Sequence, residues 1–508
     1  LQSPISNPQH PMTITLLGLG PGDPNLLTRQ AWQTLEAASE IYLRTSQHPT
    51  LAGFPPGLQV HSFDHLYEEL ESFEEVYTQI VEQVLDLGRR PEGVIYAVPG
   101  HPFIAETTGP EIYRRAREAG TPIRVVEGLS FLEPVCTALG LDPFPHITLV
   151  DALELAARHH PPFPPDAPAL IAQIYSPQIA AEVKLTLMNL YPDEYPVKLI
   201  HAAGTADVIV EDLLLYEIDR SPHLGLLTAL YLPPLGPHTS FESLQEIVTH
   251  LRAPNGCPWD RKQTPQTMRS SLIEEAYEAL AAIDAGIAQK MQEEFGDLLL
   301  VLTMITQIVS ETGTAPEFAY SAAESPADSF NSAAVFRGVI SKLIHRHPHV
   351  FGDSHVDGVD AVLKNWEQLK AQERKANGEV EKGLLDGVSI AIPALTQAQE
   401  FQSRAARVGF DWPEIGGVID KVWEEWEEVR TAPDDDARAA ELGDLLFALV
   451  NLTRWYDVDA ESTLREANIR FRARFAHIEK AAREQGRELS ELSFEEMDDL
   501  WEEAKIKR

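Results

Sequence analysis

The sequence has few cysteines, no long apolar run and a shortage of positive charge, and each shortage excludes a class of protein. Its two cysteines, Cys136 and Cys257, are too few for a disulfide framework or an unaided four-cysteine zinc site, so a reducing cytoplasm is predicted. The sequence contains no run of about 18 apolar residues, so no membrane helix is predicted. Residues 1–11 lack a signal-peptide pattern and are predicted to be an extension. The net charge of −37 argues against nucleic acid and anionic membranes as partners.

What the sequence does contain is typical of a folded chain with several domains. Hydrophobic residues make up 44% of the 508 positions and charged residues 23%, which are the fractions of a globular protein. This length predicts about three domains. The distribution of β-rich and helical segments predicts an α/β domain over residues 12–235 and two helical domains over residues 240–378 and 384–508.

Short β-rich runs alternate with helical stretches in the first domain. The predicted strands are ITLLGLG, GVIYAVPG, IRVVEG, ALIAQIY and VKLIHAAG. This alternation is typical of α/β folds, in which ligands bind beyond the carboxyl ends of the strands. The proline-rich segment 230–238 is predicted to be a linker, and a second proline-rich segment, 159–168, to divide the domain into two lobes.

One acidic pattern occurs twice in the helical half. Two adjacent glutamates and a third one turn later are followed, on the next predicted helix, by a glutamate and an aspartate three residues apart. The two copies are Glu274, Glu275, Glu278, Glu294 and Asp297, and then Glu424, Glu425, Glu428, Glu441 and Asp444. This spacing puts the acids of each helix on one face, where like charges repel. We interpret the copies as an internal repeat.

A solvated surface is the common explanation of an acidic helix face. Three features favour a cation site instead. The spacing is kept in both copies, the helices are otherwise apolar as in a buried bundle, and Gly296 and Gly443 predict the close approach of a neighbour. Oxygen ligands suit Mg²⁺, with Mn²⁺ as an alternative. Magnesium commonly binds substrate phosphates, to which Arg470 and Arg474, one helical turn apart, could bind as well.

The helical half resembles the MazG family of all-α nucleoside triphosphate pyrophosphohydrolases. The resemblance covers nearly all of residues 240–508 and rests on both acidic copies together with CPWDRKQT, RHPHVFGD, NWEQLK and RVGFDW. It implies Mg²⁺-dependent hydrolysis of a nucleoside triphosphate to the monophosphate and pyrophosphate, and a homodimer. It also implies that the acids of each copy hold magnesium, with Glu275, Glu278, Glu425 and Glu428 as catalytic candidates.

The same resemblance implies a set of substrate contacts. Arg470, Arg474 and Lys505 would bind phosphates in the C-terminal copy, and Trp501 would stack on or wall the nucleotide. Arg346 and Lys370 are the corresponding phosphate ligands implied for the first copy.

The α/β half resembles the tetrapyrrole (corrin/porphyrin) methylase family over about residues 12–235. The motifs are LLGLGPGDPNLLT, YAVPGHPFIAETTGPEI and VVEGLSFLEPVCTALG. They imply S-adenosylmethionine in a cleft between two lobes, approached by Gly18, Gly20, Pro21, Gly22, Asp23, Pro99, Gly100 and Ser130. His101 stands where uroporphyrinogen-type members have an acidic residue, which weakens a porphyrin assignment. LVDALEL and LLLYEIDR resemble the YabN-type fusions of a methylase to MazG.

The predicted fold is therefore a two-lobed α/β methylase-like domain followed by two all-α MazG-like bundle domains. Three functions are open for it. The first is a nucleoside triphosphate pyrophosphohydrolase, and the second is an S-adenosylmethionine-dependent methyltransferase as the main activity. The third is a non-catalytic scaffold that senses nucleotides, binding the triphosphate without releasing pyrophosphate.

Overall fold

The chain forms two compact units, Leu1–Ile247 and Val248–Arg508. The computed structural model describes residues 13–312, 329–352 and 383–506, and between the last two ranges residues 354, 355, 358, 361, 362, 365, 366, 369 and 373. The predicted extension over residues 1–11 therefore lies outside the described residues.

The first unit begins with a parallel sheet of five strands in the order β3–β2–β4–β1–β5. Its strands are β1 (Ile14–Gly18), β2 (Glu40–Leu43), β3 (Gln59–Ser62), β4 (Val94–Val98) and β5 (Ile123–Val126). Ile14 and Leu17 of β1 belong to separate apolar clusters, so both faces of the sheet are covered. The helices of this lobe are α1 (Arg29–Ala37), α2 (Asp64–Glu69), α3 (Phe73–Leu87) and α4 (Thr108–Glu118).

A second sheet of five strands, in the order β6–β7–β10–β8–β9, completes the first unit. Only β6 and β7 are parallel, and the other pairs are antiparallel. The strands are β6 (Thr148–Asp151), β7 (Ala169–Ala172), β8 (Pro196–His201), β9 (Ile209–Leu214) and β10 (Thr228–Leu232). The helices around it are α5 (Leu132–Leu139), α6 (Ala152–Ala156) and α7 (Pro177–Leu187).

One expectation about the proline-rich segments is wrong, and the other is wrong at the start of its segment. The first sheet ends at Val126 and the second begins at Thr148, so the lobes divide before residues 159–168, which instead connect α6 to β7. The predicted linker, 230–238, begins inside β10, where Leu230 and Leu232 are fully buried. Their apolar side chains complete the core of the second sheet, and the prolines only follow it.

The second unit is helical, as predicted. It comprises the end of α8 (Phe241–Arg252), then α9 (Arg269–Ala285), α10 (Ala288–Thr312), α11 (Ser332–Arg346), α12 (Pro348–Phe351), α13 (Ala394–Arg407), α14 (Ile415–Thr431), α15 (Asp435–Trp455), α16 (Ala460–Glu484) and α17 (Phe494–Ile506). Within it α9 packs against α10, and α14 packs against α15 in the same way. The acidic repeat is thus a repeated helix pair, while the borders of the two predicted helical domains stay a prediction.

The acidic helices are less buried in the single chain than their apolar composition predicts. Phe295 and Leu299 of α10 are 43% and 49% exposed, and Leu446 of α15 is 57% exposed. The expectation that a neighbouring group approaches Gly296 and Gly443 is also wrong among the described residues. Apart from the backbone of the helix itself, no atom lies within 4 Å of a Cβ built at either glycine. An apolar helix pattern predicts that something covers the helix, but not that the cover comes from the same chain.

Candidate functional sites

The first acidic cluster forms where α9 and α10 pack together. Gly286, in a left-handed conformation with a φ of 64°, ends α9, and α10 begins two residues later at Ala288. Glu275, Glu278 and Glu294 each place one carboxylate oxygen within 4.8 Å of the others. The tight connection therefore brings acids from two consecutive helices to one point.

The second cluster repeats this arrangement on α14 and α15. Glu425, Glu428 and Glu441 again place one carboxylate oxygen each within 4.8 Å of one another. The Asp434 side chain caps α15 by accepting a hydrogen bond of 2.8 Å from the Ala437 N–H, and so fixes where the second helix begins. The repeated sequence pattern thus produces a repeated geometry.

Four of the predicted metal ligands stand apart from these clusters in the described chain. They are Glu274, Asp297, Glu424 and Asp444. Glu424 instead accepts a hydrogen bond of 2.8 Å from Lys421 Nζ. Asp297 is near enough for its charge to act on Glu275. The assignment of these four as metal ligands stays a prediction.

Crowding of the carboxylates raises the pKa of several glutamates. Burial and three neighbouring carboxylates, Asp297 foremost, raise the pKa of Glu275 above its ordinary value. Burial and neighbouring acids likewise raise the pKa of Glu294. The pKa of Glu428 is raised by burial and by acids of which Glu425 acts most strongly. Close carboxylates disfavour one another's charged forms, and a cation between them would relieve this repulsion.

Glu425 is the most deeply placed acid of the second cluster. It is only 5% exposed, and its Oε2 atom has no hydrogen-bond partner. Its Oε1 atom lies 2.6 Å from Lys421 Nζ. A buried carboxylate oxygen without a partner is costly. The donor set, three carboxylates within reach of one ion, suits a hard divalent cation such as Mg²⁺, and the residues fit that group.

The residues expected to contact phosphate are spread over the last two helices. Arg470 Nη1 lies 3.2 Å from Glu466 Oε2, and Lys505 is paired with Glu502. The guanidinium of Arg474 lies over the Trp501 ring, 5.3 Å from its centroid. The structure therefore brings Arg474 and Trp501 together as one unit, while Arg470 and Lys505 are engaged with local acids.

Of the two residues expected to bind phosphate in the first copy, Arg346 is described and Lys370 lies outside the described residues. Arg346 forms a forked contact with Glu373, with Nε 3.1 Å from Oε2 and 3.3 Å from Oε1. This pairing occupies the guanidinium, so a phosphate would have to compete with Glu373 for it.

The glycines of the first unit allow three loops to meet closely. A Cβ on Gly18 would lie 2.5 Å from the Gly128 nitrogen and 2.7 Å from the Gly100 oxygen. Gly20, with a φ of 72°, forms an isolated antiparallel bridge with Gly100. Gly22, at a φ of 146°, leaves room for Thr205 of the second lobe. Only glycine fits such approaches without strain.

A cavity of about 420 Å³ lies in the first unit, lined by residues from both lobes. Pro21, Pro99 and Gly100 line it, as the predicted cofactor cleft requires. The other predicted cofactor residues do not line the cavity, namely Gly18, Gly20, Gly22, Asp23 and Ser130. Asp23 caps a short 3₁₀-helix by accepting a hydrogen bond from the Asn25 N–H, and Ser130 donates a hydrogen bond of 2.6 Å to Glu133.

Sequence reasoning missed an ion pair and a histidine at this cavity. Arg44 and His48 line it, and Arg44 Nη1 lies 2.7 Å from Oε2 of the buried Glu106. His48 is 6% exposed, and both its ring nitrogens lack partners. Burial, together with the charge of Arg44, lowers the pKa of His48 to about 4. The available signal was the run LRTSQHP at the carboxyl end of β2, where α/β proteins place ligand contacts.

Comparison with known proteins agrees with this two-part architecture. Residues 13–219 match the Tetrapyrrole (Corrin/Porphyrin) Methylases, and residues 263–351 match the MazG nucleotide pyrophosphohydrolase domain. The uncharacterized protein YabN of Bacillus subtilis is 39% identical over 506 residues, covering 97% of this chain and 98% of that protein. The chain belongs to this family of methylase–MazG fusions.

Other relatives match only the helical half, which is about half of the chain. The nucleoside triphosphate pyrophosphohydrolase/pyrophosphatase MazG of Thermotoga maritima is 41% identical, over 52% of this chain and 95% of that protein. The nucleoside triphosphate pyrophosphohydrolase of Escherichia coli K12 is 38% identical, over 52% and 96%. The predicted family, enzyme class and fold class of the methylase–MazG fusion are confirmed. No helix in the described part of the chain is long and apolar enough to cross a membrane.

Proposed function

We propose that the helical half of this methylase–MazG fusion is a Mg²⁺-dependent nucleoside triphosphate pyrophosphohydrolase. Its reaction would convert a nucleoside triphosphate and water to the monophosphate and pyrophosphate. The two halves of the helical unit, residues 240–378 and 384–508, would each supply one carboxylate centre. The relatives named as pyrophosphohydrolases support this proposal, because they match the chain over almost their whole length.

One observation carries the proposal: Glu425, Glu428 and Glu441 converge within 4.8 Å, and the buried Glu425 leaves one oxygen without a partner. Such an arrangement is costly unless a cation joins it. In the full ligand set that we propose, Glu424 and Asp444 complete the second centre. Glu274 and Asp297 complete the first, around Glu275, Glu278 and Glu294, with Mn²⁺ as an alternative to Mg²⁺.

Bound Mg²⁺ would offset the charge of the phosphates and orient the attacking water. We assign the proton of that water to Glu428 in the second copy, because it is one of the three carboxylates that converge there and is less buried than Glu425. The equivalent residue of the first copy is Glu278. Arg474, held over the Trp501 ring, would present its donors to the phosphates, while the ring itself would lie against the nucleotide. Arg470 and Lys505 would release their local acids to join it.

We further propose that the active protein is a cytoplasmic homodimer formed through the helical unit. Large apolar side chains on the acidic helices, such as Phe295, Leu299, Leu446 and Phe447, are 43%, 49%, 57% and 44% exposed in the single chain. Large apolar side chains exposed in this number on two helices favour an interaction site. The net charge of −37 disfavours a nucleic acid or an anionic membrane as an alternative partner.

The test of the hydrolase is pyrophosphate release from a panel of nucleoside and deoxynucleoside triphosphates with Mg²⁺. Wild type is compared with Glu278→Gln and Glu428→Gln, which keep side-chain size and remove one charge in each copy. We expect Glu428→Gln to reduce the rate at least about 100-fold, the usual contribution of a general base. Binding of the triphosphates without pyrophosphate release in wild type would instead support a nucleotide-sensing scaffold.

A second function is favoured by the cavity of the first unit. We propose that it binds S-adenosylmethionine and transfers the methyl group to an acceptor. The close glycine contacts at Gly18, Gly100 and Gly128 allow backbone groups to reach the cofactor. Pro21 and Pro99 would shape the cofactor's side of the cavity, and Gly20, Gly22, Asp23 and Ser130 would hold these loops in place. Calorimetric titration with S-adenosylhomocysteine tests the proposal, and an absence of binding would remove it.

A further inference from the structure

The two carboxylate centres differ in one residue beside their deepest acid. Lys421 lies four residues before Glu425, and its Nζ atom is 2.6 Å from Glu425 Oε1 and 2.8 Å from Glu424 Oε1. The equivalent position in the first copy, four residues before Glu275, is Ser271. A hydroxyl cannot supply the positive charge that Lys421 brings to the second centre.

The charges that act on the two centres reflect this difference. In the first centre Glu275, Glu278 and Glu294 converge within 4.8 Å, and none of them is paired with a lysine or arginine in the described part of the chain. In the second centre Glu425, Glu428 and Glu441 converge in the same way, but Lys421 Nζ lies 2.6 Å from Glu425 Oε1. Among the described residues, the first centre therefore carries negative charge that is not offset, and the second carries an internal counter-ion.

We propose that the two centres are unequal sites for a divalent cation, and that Lys421 makes the second site the weaker one. The proposal rests on the proposed function only in taking both clusters as divalent-cation sites. A cation entering the second centre must displace Lys421 from Glu425 Oε1 and then remain close to its positive charge. A cation entering the first centre meets carboxylates alone, so it binds there at lower concentration.

The orphaned Oε2 atom of Glu425 shows why Lys421 does not simply replace the cation. Lysine has a single charged nitrogen, and in this position it reaches Oε1 of Glu425 and Oε1 of Glu424 but leaves Oε2 buried and without a partner. The second centre is therefore partly neutralised and still has a ligand atom to offer. Lys421 is a positioning residue under this proposal, because it acts on the cation through Glu425.

The experiment measures Mn²⁺ binding to the full chain, since the electron paramagnetic resonance signal of free Mn²⁺ reports affinity without any turnover. Glu428→Gln with Glu441→Gln leaves only the first centre, and Glu278→Gln with Glu294→Gln leaves only the second. We expect the first centre to bind Mn²⁺ about tenfold more tightly, the scale of one nearby charge in a partly solvated site. Equal affinities would overturn the proposal, as would an absence of Mn²⁺ binding at both centres.

A reciprocal exchange of the two residues separates charge from structure. In the chain with only the second centre, Lys421→Ser should tighten Mn²⁺ binding about tenfold, and Lys421→Arg should leave it nearly unchanged. In the chain with only the first centre, Ser271→Lys should weaken binding by a similar factor. If Lys421→Ser loosens binding, or if Ser271→Lys has no effect while the circular dichroism of both variants is native, the proposal is wrong.

Pyrophosphate release is measured on the same wild-type sample. A failure of the proposed hydrolase function can then be distinguished from a failure of the proposed difference in cation affinity. Unequal Mn²⁺ affinities without pyrophosphate release would remove the proposed function and keep the inference. Pyrophosphate release with equal affinities would keep the proposed function and remove the inference.

Discussion

Arg465 Nη1 of α16 lies 3.3 Å from Asp284 Oδ2 near the end of α9, so a helix of the second acidic copy contacts a helix of the first. Both side chains are 17% exposed. The same guanidinium lies over the Tyr277 ring, 5.5 Å from its centroid. Tyr277 stands between Glu275 and Glu278 in the sequence, so this contact joins the second copy to the helix that carries the first carboxylate centre.

Replacing Arg465 tests whether this contact stabilises the helical unit. We expect Arg465→Ala to lower the free energy of unfolding by about 1–2 kcal/mol, the sum of a partly exposed ion pair and a cation–π contact. A double-mutant cycle with Asp284→Ala in urea measures the coupling between the two residues. Strictly additive effects of the two substitutions would mean that the ion pair contributes nothing.

A methyl group at Gly18 should disrupt the glycine contacts of the first unit. Gly18→Ala would place a Cβ 2.5 Å from the Gly128 nitrogen, and such overpacking costs about 1–3 kcal/mol. Hydrogen exchange of the β1 and β4 amides measures the loss, and S-adenosylhomocysteine titration measures binding. The control is Gly225→Ala, because its added Cβ meets only the His223 oxygen at 4.0 Å. Equal protection in both variants would contradict the prediction.

Acid should destabilise the first unit through His48. Its pKa is about 4 in the folded chain, below an ordinary value of about 6.5, so the unfolded chain takes up the proton first as the pH falls. Stability is therefore lost between about pH 6.5 and pH 4, by about 1–2 kcal/mol between pH 7 and pH 5. Hydrogen exchange at both pH values should show a smaller loss for His48→Gln than for wild type. An equal loss in the two proteins would assign the acid sensitivity to other groups.

A methyl group at Gly443 should stabilise α15. No atom lies within 4 Å of the Cβ that alanine would add there, among the described residues. Alanine is favoured over glycine in a helix by about 1 kcal/mol, so Gly443→Ala should raise the free energy of unfolding by up to that amount. Urea titration at a protein concentration low enough to keep the chain monomeric measures it. A decrease instead would show that a group of the same chain approaches this face.

Five of the ten strands of the first unit were predictable from the sequence. The runs at β1, β4, β5, β7 and β8 combine branched apolar residues with a following turn, and all five are strands. The other five strands lack that combination. β10 is followed by prolines that made it resemble a linker, although Leu230 and Leu232 are buried. Burial depends on the position of a strand in the sheet, which composition does not show.

The acids that share a helix face were predictable, because helix periodicity depends only on local sequence. The environment of each acid was not predictable, because it depends on how the helices pack. Spacing correctly placed Glu275 with Glu278 and Glu425 with Glu428, and the repeat paired them with the next helix. It did not indicate which of the ten acids would converge, because that depends on how the paired helices rotate against each other. Arg44 and His48, in one loop after β2, and Glu106, in another loop, were missed because no repeated spacing links the ion pair of Arg44 and Glu106.

The position of β10 has a consequence for synthesis of the chain. It is the last of the ten strands in sequence, yet it pairs with both β7 and β8 inside the second sheet. We predict that the first lobe, whose last strand ends at Val126, folds while the chain is still being synthesised. At that stage β7 and β8 would each have an unpaired edge that chaperones can bind. Protease treatment of arrested nascent chains tests this order, with protection of residues 148–214 expected only after residues 228–232 have emerged. Protection before that point would mean that the second lobe closes without its central strand.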